Sequence, residues 1–311
     1  TDSYGVVSGW VFGNDGYMGT AITKRGNKKL TWETTSEFNI GLDLGFFDNR
    51  ISLSMEYYNR IISDLLVSNK SLPAYNEINT IAANIGKTQG RGFELTLSTV
   101  NIMNKDWTWS TDFTFYTFKD NWYERDPNWK PAAYESKKDP IRSYYSYVSD
   151  GLLQVGEKAP AWQPTLVPGQ IKLKNLYDTG TSPNVLDQYD KVNLGSQDPK
   201  CTLGLNNTLR YKNLDFNIYF YGEIGRLRGA SYYDAWIVGL GNSLTNVSQQ
   251  SLHSYTNANQ NTTVPNLIES AYDFGDYYHK KINYLRCRNI TLGYTIPVSK
   301  SIANSVRISA N

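Results

Sequence analysis

The stretch Phe38-Asn39-Ile40-Gly41-Leu42-Asp43-Leu44-Gly45-Phe46, then Phe47-Asp48-Asn49-Arg50, then Ile51-Ser52-Leu53-Ser54-Met55-Glu56-Tyr57, decides how the rest of the chain is read. Apolar side chains take every second position on both sides of a short break. A period of two marks a strand with two unlike faces, and two such runs across a short break read as one hairpin.

The same grammar recurs three times. Phe93, Leu95 and Leu97 lead through Asn101 to Asp106 into Trp107, Trp109, Phe113 and Phe115. Leu203, Leu205, Leu209 and Tyr211 lead through Lys212-Asn213 into Leu214, Phe216, Ile218 and Phe220. Ile290, Leu292, Tyr294 and Ile296 stop at Pro297, and Val306 and Ile308 resume the pattern. The expectation is eight strands in four hairpins. Connections inside hairpins are short, whereas those between hairpins (Tyr58 to Gly90, Tyr116 to Lys200, Tyr221 to Arg288) far exceed the usual loop of about 4 to 6 residues.

Composition narrows the classes. The chain has 311 residues, 14% of them aromatic, with 24 Tyr, which excludes a disordered segment. Its apolar runs stop far short of the roughly 20 residues of a membrane-crossing helix. Two cysteines, Cys201 and Cys287, make neither a disulfide framework nor a four-ligand zinc site. Alternation aims them at opposite faces of their strands, so they read as free thiols. A net charge of +2 gives no electrostatic case for nucleic acid. With no leader at its start and with Val306 to Asn311 breaking off in mid-pattern, residues 1–311 read as a piece of a longer chain.

A soluble antiparallel sheet also alternates, with its apolar side on a core. Long strands, long loops at one end only, and a second face rich in Asn, Ser, Thr, Asp and Gly favour the other solution. The fold expected is all-β: a transmembrane antiparallel β-barrel with short periplasmic turns and long extracellular loops. Hydrocarbon offers no partner for backbone N–H and C=O groups, so a sheet crosses it only by closing on itself.

Several stretches resemble the SusC/RagA family of TonB-dependent outer-membrane transporters of the Bacteroidetes. They are Leu30-Thr31-Trp32-Glu33-Thr34-Thr35 with Phe38-Asn39-Ile40-Gly41-Leu42-Asp43; Asn84-Ile85-Gly86 with Gly90-Arg91-Gly92-Phe93-Glu94-Leu95; Gly151-Leu152-Leu153-Gln154 with Pro168-Gly169-Gln170-Ile171-Lys172; and Asn283-Tyr284-Leu285-Arg286-Cys287-Arg288-Asn289-Ile290-Thr291-Leu292-Gly293-Tyr294. The resemblance implies that residues 1–311 are a C-terminal portion, about 8 to 10 strands, of a barrel of about 22, without the plug domain and TonB-binding segment. It further implies a SusD-like surface lipoprotein as lid, energy delivered through TonB, and a dimer of transporter-lid units.

Two groups of candidate site residues stand out. Loop aromatics Trp122, Tyr123, Trp129, Tyr134, Trp162, Tyr232, Tyr233 and Trp236 suit sugar stacking, because pyranose C–H bonds meet the negative face of a π system. The competing reading is girdle or loop packing. Asp178, Asp187 and Asp190 fall where the family often carries a calcium-loop-like stretch. Asn at the first ligand place, Tyr at the third and extra residues make a polar surface turn the favoured reading. No cofactor is required by the sequence. His253 and His279 are isolated, and no nucleophile elbow or phosphate loop occurs, so no enzyme is expected.

The leading expectation is TonB-dependent import of a nutrient across the bacterial outer membrane, an oligosaccharide first and a peptide second. The alternative is a soluble β-rich carbohydrate-binding or adhesin domain without transport.

Overall fold

The computed structural model describes residues 2–12, 15–72, 80–177, 184–229, 249–266, 274–298 and 305–311. In chain order the strands are β1 (Ser3–Phe12), β2 (Asp15–Lys24), β3 (Thr34–Phe46), β4 (Ile51–Ser63), β5 (Leu66–Ser71), β6 (Thr80–Asn84), β7 (Lys87–Met103) and β8 (Trp107–Glu124). They continue with β9 (Ser143–Ser146), β10 (Ser149–Leu152), β11 (Ile171–Leu173), β12 (Val192–Ser196), β13 (Cys201–Tyr211), β14 (Leu214–Arg228), β15 (Lys280–Ile296) and β16 (Val306–Ala310). No described helix is long and apolar enough to cross a membrane, which says nothing about strands.

The chain divides into two compact units. The larger, residues 40–57, 92–119 and 130–311, holds segments of all eight expected strands in one antiparallel sheet of order β16-β15-β14-β13-β8-β7-β4-β3. The four hairpins read from the sequence are adjacent pairs in that order. Their breaks turn tightly for local reasons: Phe47, Asp48 and Asn49 have φ of 55°, 53° and 62°, and Lys212 has 52°. That left-handed region is one that Asn and Asp tolerate best. Neighbouring turns are stitched together, with Lys212 N donating to Asp106 O at 2.7 Å and Thr295 N to Asn213 O at 2.8 Å.

The register separates two faces. Leu205 and Leu209 pair with Phe220 and Phe216 on one side and with Phe113 and Trp109 on the other, and Phe216 and Ile218 pair with Leu292 and Ile290. This face has no covering layer among the described residues: Phe38 is 60% exposed, Leu292 51% and Ile308 64%. A polar patch within it is satisfied internally, as hydrocarbon requires. Asn207 Oδ1 accepts from Thr111 Oγ1 at 2.7 Å and from Trp109 Nε1 at 3.1 Å.

The opposite face carries a hydrogen-bonded ladder running across five strands. Ser98 Oγ donates to Asp112 Oδ1 (2.8 Å), Asn206 Nδ2 to Asp112 Oδ2 (3.4 Å), Asn217 Nδ2 to Asn206 Oδ1 (2.7 Å) and Asn289 Nδ2 to Asn217 Oδ1 (3.2 Å). A core-facing side would bury apolar groups here; this one is built for water.

The buried apolar cluster lies in the loops. Leu152, Ile171, Leu173, Tyr255 and Tyr278 pack together, joined by Tyr147, Leu186 and Val264. Residues 143–177 and 184–196, which carry the antiparallel pairs β9-β12 and β10-β11, thereby dock on residues 249–266 and 274–278. The sequence reading had not anticipated those strands, because segments of 3 to 5 residues are too short to display alternation.

One other expectation needs correction, and three strands outrun the roughly 9 to 11 residues that crossing a membrane takes: β7 and β15 have 17 and β8 has 18. At about 3.3 Å per residue such a strand spans roughly 55 Å, so even strongly tilted it outruns a hydrocarbon layer of about 30 Å. The cysteines, moreover, share a face. Cys201 pairs with Ile224 and Cys287 with Phe220, because a bulge at Arg288 reverses the parity of β15. They remain free thiols; a stagger of four residues along β14, roughly 13 Å, keeps them beyond disulfide reach.

The smaller unit comprises residues 1–39, 58–91 and 120–129. It holds the β1-β2 and β5-β6 hairpins and the remainders of β3, β4, β7 and β8.

Candidate functional site

The loop aromatics separate into distinct groups. In the smaller unit, Trp122 near the end of β8 and Trp129 five residues beyond that strand line one cleft of about 430 Å³, together with Lys70, Arg125, Asp126 and Asn128. Arg125 joins the two rings: its guanidinium lies 3.8 Å from the Trp129 centroid and 5.3 Å from that of Trp122, within cation–π range. A tight bend makes room for this. Gly86, at φ +85°, sits where a Cβ would come within 2.9 Å of Glu124 O and 3.4 Å of the Trp122 ring. Asp126 holds the following turn by accepting from Asn128 N at 2.8 Å.

Tyr123 is exposed and takes no part in the cleft. Tyr134, in the larger unit, packs against Tyr145 at 5.2 Å with the Lys191 ammonium 5.6 Å from its ring. Tyr145 donates to Asp139 at 2.8 Å, and burial with that hydrogen bond pushes its phenol up to about 12. Trp162 braces a loop, its Nε1 donating to Leu173 O at 2.8 Å. Tyr232, Tyr233 and Trp236 lie outside the described residues.

Of the acidic trio, Asp178 also lies outside the described residues. Asp190 is fully buried, and its carboxylate accepts from Leu176 N (2.6 Å), Tyr177 N (3.1 Å) and Asp187 N (2.9 Å). Asp187 accepts from Tyr189 N at 2.7 Å and caps the short 3-10 turn Gln188–Asp190. Both carboxylates are thus engaged by backbone amides, which makes them loop staples. Among the described residues no group of three or more His, Cys, Asp or Glu is placed to hold a metal ion.

The sequence reading missed a second concavity, on the polar face of the larger unit. It occupies about 410 Å³ and is lined by Arg142, Glu223, Arg226, Arg228, Tyr284 and Arg286 among others. Arg288 lies 4.8 Å from the ring centroid of Tyr221, whose hydroxyl donates to the Glu223 of that lining. Alternation counted back from Ile290 would aim Arg286 and Arg288 outward. The bulge at Arg288 turns them inward, and no residue type in that run announces it.

An apolar face without cover, a polar ladder behind it and a buried apolar cluster among the loops are the attributes of an outer-membrane barrel wall, and the comparisons agree. Residues 3–148 match the family described as TonB dependent receptor-like, beta-barrel. Over nearly its whole length the chain is similar to TonB-dependent receptors. TonB-dependent receptor P3 of Formosa agariphila is 29% identical over 303 residues, covering 93% of this chain and 30% of that protein. TonB-dependent receptor SusC of Bacteroides thetaiotaomicron is 28% identical over 288 residues, covering 90% of this chain and 28% of SusC. The chain spans about a third of the length of those relatives. Solved structures of RagAB share its fold: the peptide transporter at TM-score 0.71 and the peptide importer in the open-open state at 0.74, both 21% identical. Each match covers 99% of this chain and 34% or 33% of the solved chain. The segment is outer-membrane wall, and its barrel is incomplete within these residues.

Proposed function

We propose that the whole protein imports a nutrient across the outer membrane by a TonB-dependent mechanism, an oligosaccharide in preference to a peptide. In this reading a SusD-like lipoprotein closes the loop side as a lid, the transporter-lid units pair as dimers, and residues 1–311 are a C-terminal portion of the barrel. The carrying observation is the division of one sheet into an uncovered apolar face and a hydrogen-bonded polar face running from Ser98 to Asn289. A water-lined wall of this kind gives hydrophilic cargo a route that hydrocarbon denies it. Loops packed around Ile171 and Tyr255 form a structured rim on which a lid can seat. The Trp122-Trp129 cleft supports a saccharide, since two indole rings beside Asp126 and Asn128 offer stacking together with hydroxyl partners. No catalysis is proposed.

The test is uptake by the bacterium that encodes the chain. Deleting the gene should abolish entry of one class of labelled oligosaccharide, and restoring the full-length gene should recover it. Normal uptake of every saccharide and peptide offered to the deletion strain would refute the importer.

A further inference from the structure

Four guanidinium groups face one carboxylate in the 410 Å³ basin on the polar face. Arg142 is paired with Asp198 at 2.8 Å, and Arg226 lies 3.0 Å from Glu223. Arg228 and Arg286, and Arg288 beside Tyr221, have no carboxylate within pairing distance among the described residues. The surplus is local, since the chain as a whole carries only +2. Holding like charges together costs energy, and here the backbone is shaped to do so. One bulge, at Arg288, turns Arg286 and Arg288 inward; another, in β14 where Gly225 has φ +79°, falls between Glu223 and Arg226. Bulges re-aim side chains and recur beside sites.

We infer that this basin binds the anionic group of an acidic oligosaccharide, a uronate carboxylate or a sulfate ester. Guanidinium is planar and doubly donating, matched to both oxyanions. Arg286 stands 5.5 Å from the Tyr284 ring centroid, and Tyr144 and Tyr284 supply aromatic surface for a pyranose beside its charged substituent. A zwitterionic peptide fits less well, because its ammonium needs a free carboxylate. Glu223 is only 7% exposed, with Oε1 accepting from the Tyr221 hydroxyl at 2.9 Å and Oε2 facing Arg226. The basin lies on the long-loop half of β14 and β15, where cargo arrives first.

This inference rests on the importer reading and is tested so that the two fail differently. The deletion strain is complemented with the full-length gene, with the double variant Arg228→Gln and Arg286→Gln, or with Arg228→Lys and Arg286→Lys, all at matched outer-membrane abundance. Uptake is measured for oligogalacturonides, sulfated galactan oligosaccharides, malto- and xylo-oligosaccharides, and mixed peptides. The expected result is loss of one acidic class on deletion, a decrease of roughly tenfold or more with the Gln pair, and substantial rescue by the Lys pair. Oligogalacturonides identify a carboxylate ligand, and sulfated galactans a sulfate. Deletion affecting only neutral sugars or peptides, or Gln variants that import the acidic class normally, overturns the inference and leaves the importer standing. No uptake defect at all overturns both.

Discussion

Arg307 in β16 reaches across β15 to hydrogen-bond both carboxylate oxygens of Asp215 in β14 through Nε and Nη2. The strand between them offers Gly293 at that level: Asp215 pairs with Gly293, and a Cβ there would come within 2.6 Å of Asp215 Oδ2. A missing side chain on one strand thus lets the next strand be fastened to the one beyond. Gly293→Leu should break the link and lower the urea midpoint of the refolded full-length barrel. Arg307→Ala should lower it less, since it removes the pair without inserting bulk. Equal midpoints for wild type and Gly293→Leu would show that the pair fastens nothing.

Asp190 gathers three backbone amides while fully buried. Removing it leaves buried donors unmade, which costs about 3 kcal/mol. Asp190→Ala should therefore open residues 171–196 to protease while the membrane strands resist as before. Added calcium should not restore protection if the carboxylate serves only the backbone.

His279 meets Tyr144 edge-on at 5.2 Å, and its Nδ1 is buried without a hydrogen-bond partner among the described residues. Burial holds its pKa below the usual 6.5, against the opposing pull of Asp276. The unfolded segment therefore binds a proton that the folded one refuses, so stability is complete above about pH 6.5 and declines as pH falls towards the depressed folded value. Proteolysis of the loop after β14 should accelerate over that interval, and His279→Gln should flatten the dependence.

Trp129 and Trp162 have different duties despite equal prominence in the sequence. Trp129 lines the Arg125 cleft, whereas Trp162 spends its N–H on Leu173 O. If the cargo is the oligosaccharide proposed above, Trp129→Ala should weaken its binding by roughly tenfold, in the range of a lost aromatic platform, with little change in thermal stability. Trp162→Phe should do the reverse. Fluorescence titration and a thermal melt of the full-length protein separate the two effects.

How much of this was legible depends on the length over which a pattern repeats. Runs such as Phe38 to Phe46 and Leu214 to Phe220 alternate long enough to fix strand, face and hairpin partner, and the sheet reproduces all four hairpins. The bulge at Arg288 was invisible, because it adds one residue without changing composition. It accounts for both the misassigned face of Cys287 and the overlooked Arg286. Trp122 and Trp129 were found as residue types, yet their convergence on Arg125 depends on a bend at Gly86 that nothing in the flanking residues dictates. Asp190 read as a candidate ligand because carboxylate spacing alone does not distinguish a cation from a set of backbone amides.

Ile290 and Thr291 are neighbours on β15 that point to opposite sides, Ile290 beside Ile218 and Thr291 beside Asn217. Unfolding free energies of the full-length barrel in lipid vesicles, measured for Ile290→Arg and Thr291→Arg, test the two-solvent wall directly. An arginine on the lipid side should cost about 2 to 4 kcal/mol near mid-depth, while one on the water side should cost far less. Equal losses at both positions, or the larger loss at Thr291, would contradict a wall with lipid on one side and water on the other.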